Sequence, residues 1–147
     1  MSYDQLFQIA NAMVLPGWLL LIIAPKWQWT SRIVISIIIT LLAALYVYLV
    51  FGSISFGDFE SFGSLEGIIQ LFGDRGAVLT GWVHYLAFDL LAGWFITFDA
   101  MRKGINRYLI IPCLLFTFML GPSGLLLYLI LHWIVTRNYF IDWTQSS

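Results

Sequence analysis

Four long apolar runs leave this chain few ways to fold. Leu6 to Ala24 is apolar apart from Gln8 and Asn11, and it stops at Pro25-Lys26. Ile33 to Phe51 is rich in Ile, Leu, Val and Tyr and closes at Gly52; a third run covers about Ala77 to Phe98, and a fourth about Tyr108 to Val135. At 1.5 Å per helical residue each can cross a hydrocarbon core of roughly 30 Å, and the fourth is long enough to need tilt or a kink. In lipid the backbone must satisfy its own hydrogen bonds, which a helix does within one segment; the runs lack the alternation of barrel strands. The expected fold is an all-α integral membrane bundle of about four transmembrane helices (6–24, 33–51, 77–98 and 108–135), a single domain over 1–147. Composition agrees, because 61% of the residues are hydrophobic and 10% charged. A globular chain is roughly half apolar and a quarter charged, and one soluble core of this size cannot hide such an apolar excess.

Charge then orients the bundle. Lys26 and Arg32 lie between the first two runs, and Arg102, Lys103 and Arg107 between the last two. The positive-inside rule makes that side cytoplasmic. The opposite side receives Asp4, Asp58, Glu60, Glu66, Asp74 and Asp142 with Arg75 and Arg137, which puts both termini outside. Trp27 and Trp29 suit the inner interface, Trp133 and Trp143 the outer. Met-Ser-Tyr-Asp opens the chain with an acid where a signal peptide is basic, and no small-x-small cleavage site follows, so the first run is expected to remain as a span. A net charge of −1 offers no field for nucleic acid. Cys113, the single cysteine, makes neither an intrachain disulfide nor, alone, a metal site, and reads as a small apolar filler.

The connection from Gly52 to Gly76 is long. Its second half sets Leu65, Ile68, Ile69 and Phe72 at i, i+3, i+4 and i+7 behind Ser64 as N-cap, the pattern of a short amphipathic interfacial helix. It reads as a cover for the bundle, with a lid as the alternative.

Polar residues concentrate at one depth. Asp89 falls near the middle of the third run, where a carboxylate costs several kcal/mol unless paired, hydrated or neutralised. Tyr85, four residues earlier, shares its helical face and can donate to it. His84 is five residues from Asp89, about 140° around the helix, so the two do not form a dyad. The midpoint of the first run falls near Pro16-Gly17 and that of the fourth near Gly121-Pro122-Ser123-Gly124. Proline removes an amide hydrogen and glycine permits unwinding, so both are candidate helix breaks at the depth of Asp89, an arrangement found at binding sites of transporters. Each break alone reads as an ordinary kink and not as a site. His132 reads as an interfacial residue at the outer end of the fourth run, since two histidines without a third ligand make no metal site. Ser36, Thr40 and Thr117 are expected to bond back to their own helices. Motifs for a nucleophile, a phosphate loop or haem attachment are absent, and no cofactor is specified.

The stretch Gly81-Trp82-Val83-His84-Tyr85-Leu86-Ala87-Phe88-Asp89-Leu90, followed by Gly93-Trp94, resembles a signature of the abscisic-acid-deficient-four-like family. So does Ile111-Pro112-Cys113-Leu114-Leu115-Phe116-Thr117-Phe118-Met119-Leu120-Gly121-Pro122-Ser123-Gly124-Leu125-Leu126. Plastid members are linked to neoxanthin synthesis from violaxanthin. The resemblance implies a membrane protein that handles a carotenoid or another lipophilic ligand, and without a transit peptide the chain looks like a prokaryotic-type member of a cell or thylakoid-type membrane. Epoxide-to-allene isomerisation needs an acid at the epoxide oxygen and a base at the neighbouring carbon. Under this reading Asp89 is the catalytic acid, His84, or Tyr85 through Asp89, manages the return proton, and Trp82, Gly121, Pro122 and Gly124 are the expected ligand contacts. Two other readings stand beside it: a small channel or transporter, which at this size requires a homo-oligomer, and a non-catalytic scaffold of a membrane complex.

Overall fold

The computed structural model describes residues 1–53 and 56–141; Asp142, Trp143 and the side chain of Asp58, placed on the outer side above, lie outside the described residues. The elements are α1 (Tyr3–Ile23), α2 (Thr30–Ile33), a π-helical segment (Val34–Ile39), α3 (Thr40–Ser53), a 3-10 segment (Phe56–Gly63), α4 (Leu65–Leu71), α5 (Arg75–Arg102), α6 (Arg107–Leu120) and α7 (Pro122–Thr136). Three stretches are long and apolar enough to cross a membrane: α1, the run Thr30–Gly52 through α2, the π segment and α3, and α5. The expected short helix is present as α4, where the Ser64 hydroxyl accepts the Gly67 amide at 3.0 Å and Leu65, Ile69 and Phe72 are exposed.

Local signals set the helix starts. Ser2 and Gln5 close a capping box at α1, and the Asp74 carboxylate accepts the Ala77 amide at the head of α5. These two helices run in the same direction. Asp4 pairs with Arg75 at 2.8 Å at one end, Phe7 lies on Trp82 below it, and Trp18 reaches Gly93 further along. The Thr30–Gly52 run is antiparallel to both, with Tyr46 beside His84 and Ser31 accepting the Trp94 indole N–H at 2.8 Å. Pro16 does not break α1, which is continuous; its ring faces outward. Gly17 instead serves close packing, since a Cβ there would stand 2.8 Å from a Leu90 methyl. The expected break in the first run is therefore absent.

The fourth run departs furthest from expectation. It divides at Gly121, whose φ of 47° and ψ of −101° suit glycine. The two parts fold back on each other. A Cβ built on Gly124 would collide with the Cys113 carbonyl and with the Thr117 amide and hydroxyl; in one continuous helix Cys113 and Gly124 would be about 16 Å apart. Thus α6 and α7 form a helical hairpin whose arms, of 14 and 15 residues, are about 21 to 22 Å long and shorter than a hydrocarbon core.

Side chains fix where the hairpin points. Arg107, at the start of α6, donates to the Ile22 and Ile23 carbonyls at the end of α1. The tip at Gly121 meets Asp89, midway along α5, and near the far end of α7 Tyr128 and His132 meet Asp99. The hairpin enters and leaves at the same end of the bundle. This corrects three expectations: 108–135 is not one crossing helix, Trp133 and Arg137 belong with Trp27 and Trp29 rather than opposite them, and α7 ends at the far end of the bundle from Asp4. Reassigning Arg137 sharpens the charge asymmetry, because every Lys and Arg except Arg75 then lies at the hairpin's open end.

Candidate functional site

Two buried acids on α5 organise the interior. Asp89 is 8% exposed and Asp99 fully buried. Ten residues separate them, so they sit about 15 Å apart along the helix.

Asp89 lies where the hairpin turns. A Cβ at Gly121 would be 2.5 Å from its Oδ1 and 3.3 Å from its Oδ2, so the carboxyl rests directly against the glycine backbone. The Tyr85 hydroxyl donates to the Met119 carbonyl at 3.0 Å and lies beside the Asp89 carboxyl. Oδ2 of Asp89 is buried without a hydrogen-bond partner among the described residues. An unpaired buried carboxyl oxygen is costly and demands either a ligand or a role. Beside it runs a groove of about 420 Å³ between α5 and α7, walled by Phe88, Leu91, Phe95, Pro122, Leu125 and Leu129, and its lining is almost wholly apolar. Local sequence explains the shape. Gly121 permits the reversal, Pro122 starts α7 at a position where its missing N–H costs nothing, and Gly124 lets the two arms touch.

The expected site residues separate into three groups. Asp89, Tyr85, Gly121 and Pro122 come together. Gly124 is at the α6–α7 crossing, where its lack of a side chain lets the two arms pack closely. Trp82 borders the first group, its ring centroid 5.4 Å from that of Tyr85, while His84 lies on another face of α5. His84 is exposed, stacked on Phe88 at 4.5 Å and facing Tyr46. Trp82 lies toward the start of α5, its indole N–H donating to Asn11 at 3.1 Å. Thr40 and Thr117 bond back to Ile35 and Cys113 as expected.

The second cluster went unrecognised in the sequence. The Tyr128 hydroxyl donates to Asp99 Oδ2 at 2.5 Å, and His132 Nε2 stands 3.7 Å from the same oxygen. All three side chains are buried, and Phe95 lies edge-on to Tyr128, separating the cluster from the groove. His132 is thus a core residue and not an interfacial one. The available signal was the i, i+4 spacing of Tyr128 and His132, which puts them on one helical face. Asp99 was hidden by its place just past the apolar run ending at Phe98. Among the described residues no three His, Cys, Asp or Glu side chains converge as metal ligands do.

Residues 5–128 match the family described as ABA DEFICIENT 4-like, a stretch that contains Asp89, Asp99, the Gly121 turn and Tyr128. The chain belongs to this family. Over 145 residues it is 27% identical to the protein ABA DEFICIENT 4, chloroplastic, of Arabidopsis thaliana, a match covering 92% of this chain and 64% of that relative. This ABA DEFICIENT 4-like chain therefore spans less than two thirds of the length of that relative. No solved structure matches it.

Proposed function

We propose that this chain is a multi-pass membrane protein that takes a rigid lipophilic ligand of the carotenoid class into the α5–α7 groove and isomerises it with the Asp89 carboxyl. One observation carries the reading: a buried, unpaired carboxyl oxygen borders an almost wholly apolar groove at mid-depth of the bundle. Family membership supports the ligand class, since neoxanthin synthesis is the activity linked to plastid members. An epoxide-to-allene isomerisation fits a single carboxyl. Asp89 gives its proton to the epoxide oxygen as the C–O bond breaks, and the resulting carboxylate removes a proton from the neighbouring carbon as the new double bond forms. Proton count and oxidation state are unchanged, and Asp89 returns to its starting form. Tyr85 packs beside the carboxyl while its hydroxyl donates to the Met119 carbonyl. His84, on another face, takes no part in this scheme.

The hairpin's open end, with Lys26, Arg32, Arg102, Lys103, Arg107 and Arg137, faces the cytoplasm under the positive-inside rule. The N-terminus is then outside and the C-terminus inside. A fluorescent fusion at the C-terminus tests this by lighting up only if that end is cytoplasmic.

For the activity, the chain is expressed in cells making epoxy-xanthophylls and the pigments are compared with those of an Asp89→Asn strain. New allenic pigment that disappears in Asp89→Asn supports the reading; identical pigment profiles in wild type, variant and empty-vector cells sink it.

A further inference from the structure

A second cavity, at the opposite end of α5 from Arg75, points to a ligand of different chemistry. It has a volume of about 410 Å³ and lies where the end of α1, the end of α5 and the start of α6 meet, with Pro25, Lys26, Met101, Gly104, Asn106 and Arg107 among its lining residues. The charged groups facing it are Lys26 and Arg107, both cations, and no acidic residue lines it. Among the described residues neither cation has a carboxylate within ion-pair distance; the two ion pairs found are Asp4–Arg75 and Asp99–His132. Two cations over one cavity repel unless an anion lies between them.

Arg107 is preorganised. One guanidinium nitrogen donates to the Ile22 carbonyl at 2.6 Å and to the Ile23 carbonyl at 3.3 Å, which ties the head of α6 to the tail of α1 and leaves its other donors free for a ligand. Lys26 follows Pro25 directly, so its backbone is held close by the end of α1. Tyr108, 75% exposed, adds an amphipathic ring beside the cavity, as is common where a helix meets a headgroup layer. Basic pockets between helices on the cytoplasmic side of a membrane are where anionic headgroups bind.

We propose that this cavity binds the phosphate of an anionic membrane phospholipid, with Lys26 and Arg107 as its two ligands. The site is separate from the α5–α7 groove and does not depend on what that groove holds.

The full chain is purified in mixed micelles of phosphatidylglycerol and phosphatidylcholine at equal amounts, and retained lipid is counted by native mass spectrometry. Wild type is expected to retain phosphatidylglycerol preferentially. Lys26→Gln should lower that preference about fivefold, the effect of one cation near a headgroup, and Lys26→Arg should restore it. Arg75→Gln, at the other end of the bundle, should leave it unchanged. Equal retention of the two lipids by wild type, or a preference unmoved by Lys26→Gln, overturns the proposal. If about 10 mM inorganic phosphate strips the retained phosphatidylglycerol from wild type, the site belongs to free phosphate and the lipid assignment falls; persistence of the lipid supports it. Because Lys26 is exposed, its variants keep the test open even where Arg107→Gln loosens the hairpin.

Discussion

Asp89 and Asp99 are the same residue type, on the same helix and both buried, yet their surroundings differ in kind. Asp99 is enclosed: Tyr128 donates to its Oδ2, His132 stands against the same oxygen, and Phe95 shields the group from the groove. Asp99 Oδ1 and His132 Nε2 are themselves without hydrogen-bond partners among the described residues. Asp89 touches glycine backbone on one side and borders an apolar groove on the other, with one oxygen unpaired among the described residues. The first arrangement ties α7 to α5. The second holds α7's starting turn against an acid that borders the apolar groove. One helix thus carries two buried acids about three turns apart, distinguished by what the hairpin brings to each.

Replacing each acid by leucine should separate them most sharply. Asp99→Leu leaves the Tyr128 hydroxyl and His132 buried without their partner, and removing one member of a buried polar pair costs about 3–5 kcal/mol. Denaturation in detergent micelles should show that loss, with partial recovery when Tyr128→Phe and His132→Leu accompany it. Gly124→Val should be next, at about 3 kcal/mol or less, by overpacking the hairpin crossing. Its signature is faster maleimide labelling of Cys113, which is buried in the intact fold. Gly121→Ala meets both a positive φ and the Asp89 carboxyl, and about 1–3 kcal/mol of strain is expected from the same denaturation measurement. Asp89→Leu should change stability least, by about 1 kcal/mol or less and in either direction, because it removes an unpaired polar group. Asp89 would lose its place as the chemical acid if that variant unfolded as readily as Asp99→Leu.

Much of this was legible in the chain before any coordinates. Apolar run lengths gave the helical bundle, and the depth of Asp89 within its run marked it as unusual. Ser64 and its i, i+3, i+4, i+7 pattern yielded α4. What hydropathy cannot register is direction: Tyr108 to Val135 reads identically whether it crosses or turns back. Only the conformation at Gly121 decides, and its clues, Gly-Pro-Ser-Gly, fit a kink as well as a reversal. The error then spread to every residue beyond the turn, moving Trp133, His132 and Arg137 to the wrong end. Asp99 stayed hidden for a related reason, since its partners come from the arm whose direction was misread. His84 is the reverse case, a polar residue at functional depth that the fold leaves on an outer face.

The hairpin also makes the protein taper. A plane through the bundle near Arg107 cuts three long helices and both hairpin arms, whereas near Asp4 the hairpin is absent and the short α4 connection lies at the end of the three long helices. In a bilayer such a body displaces more lipid from one leaflet than from the other, so its packing responds to membrane curvature. Beyond the hairpin tip, the space next to α5 is left for acyl chains. In a bilayer, lipid composition and bending would therefore press directly on the turn that rests against Asp89.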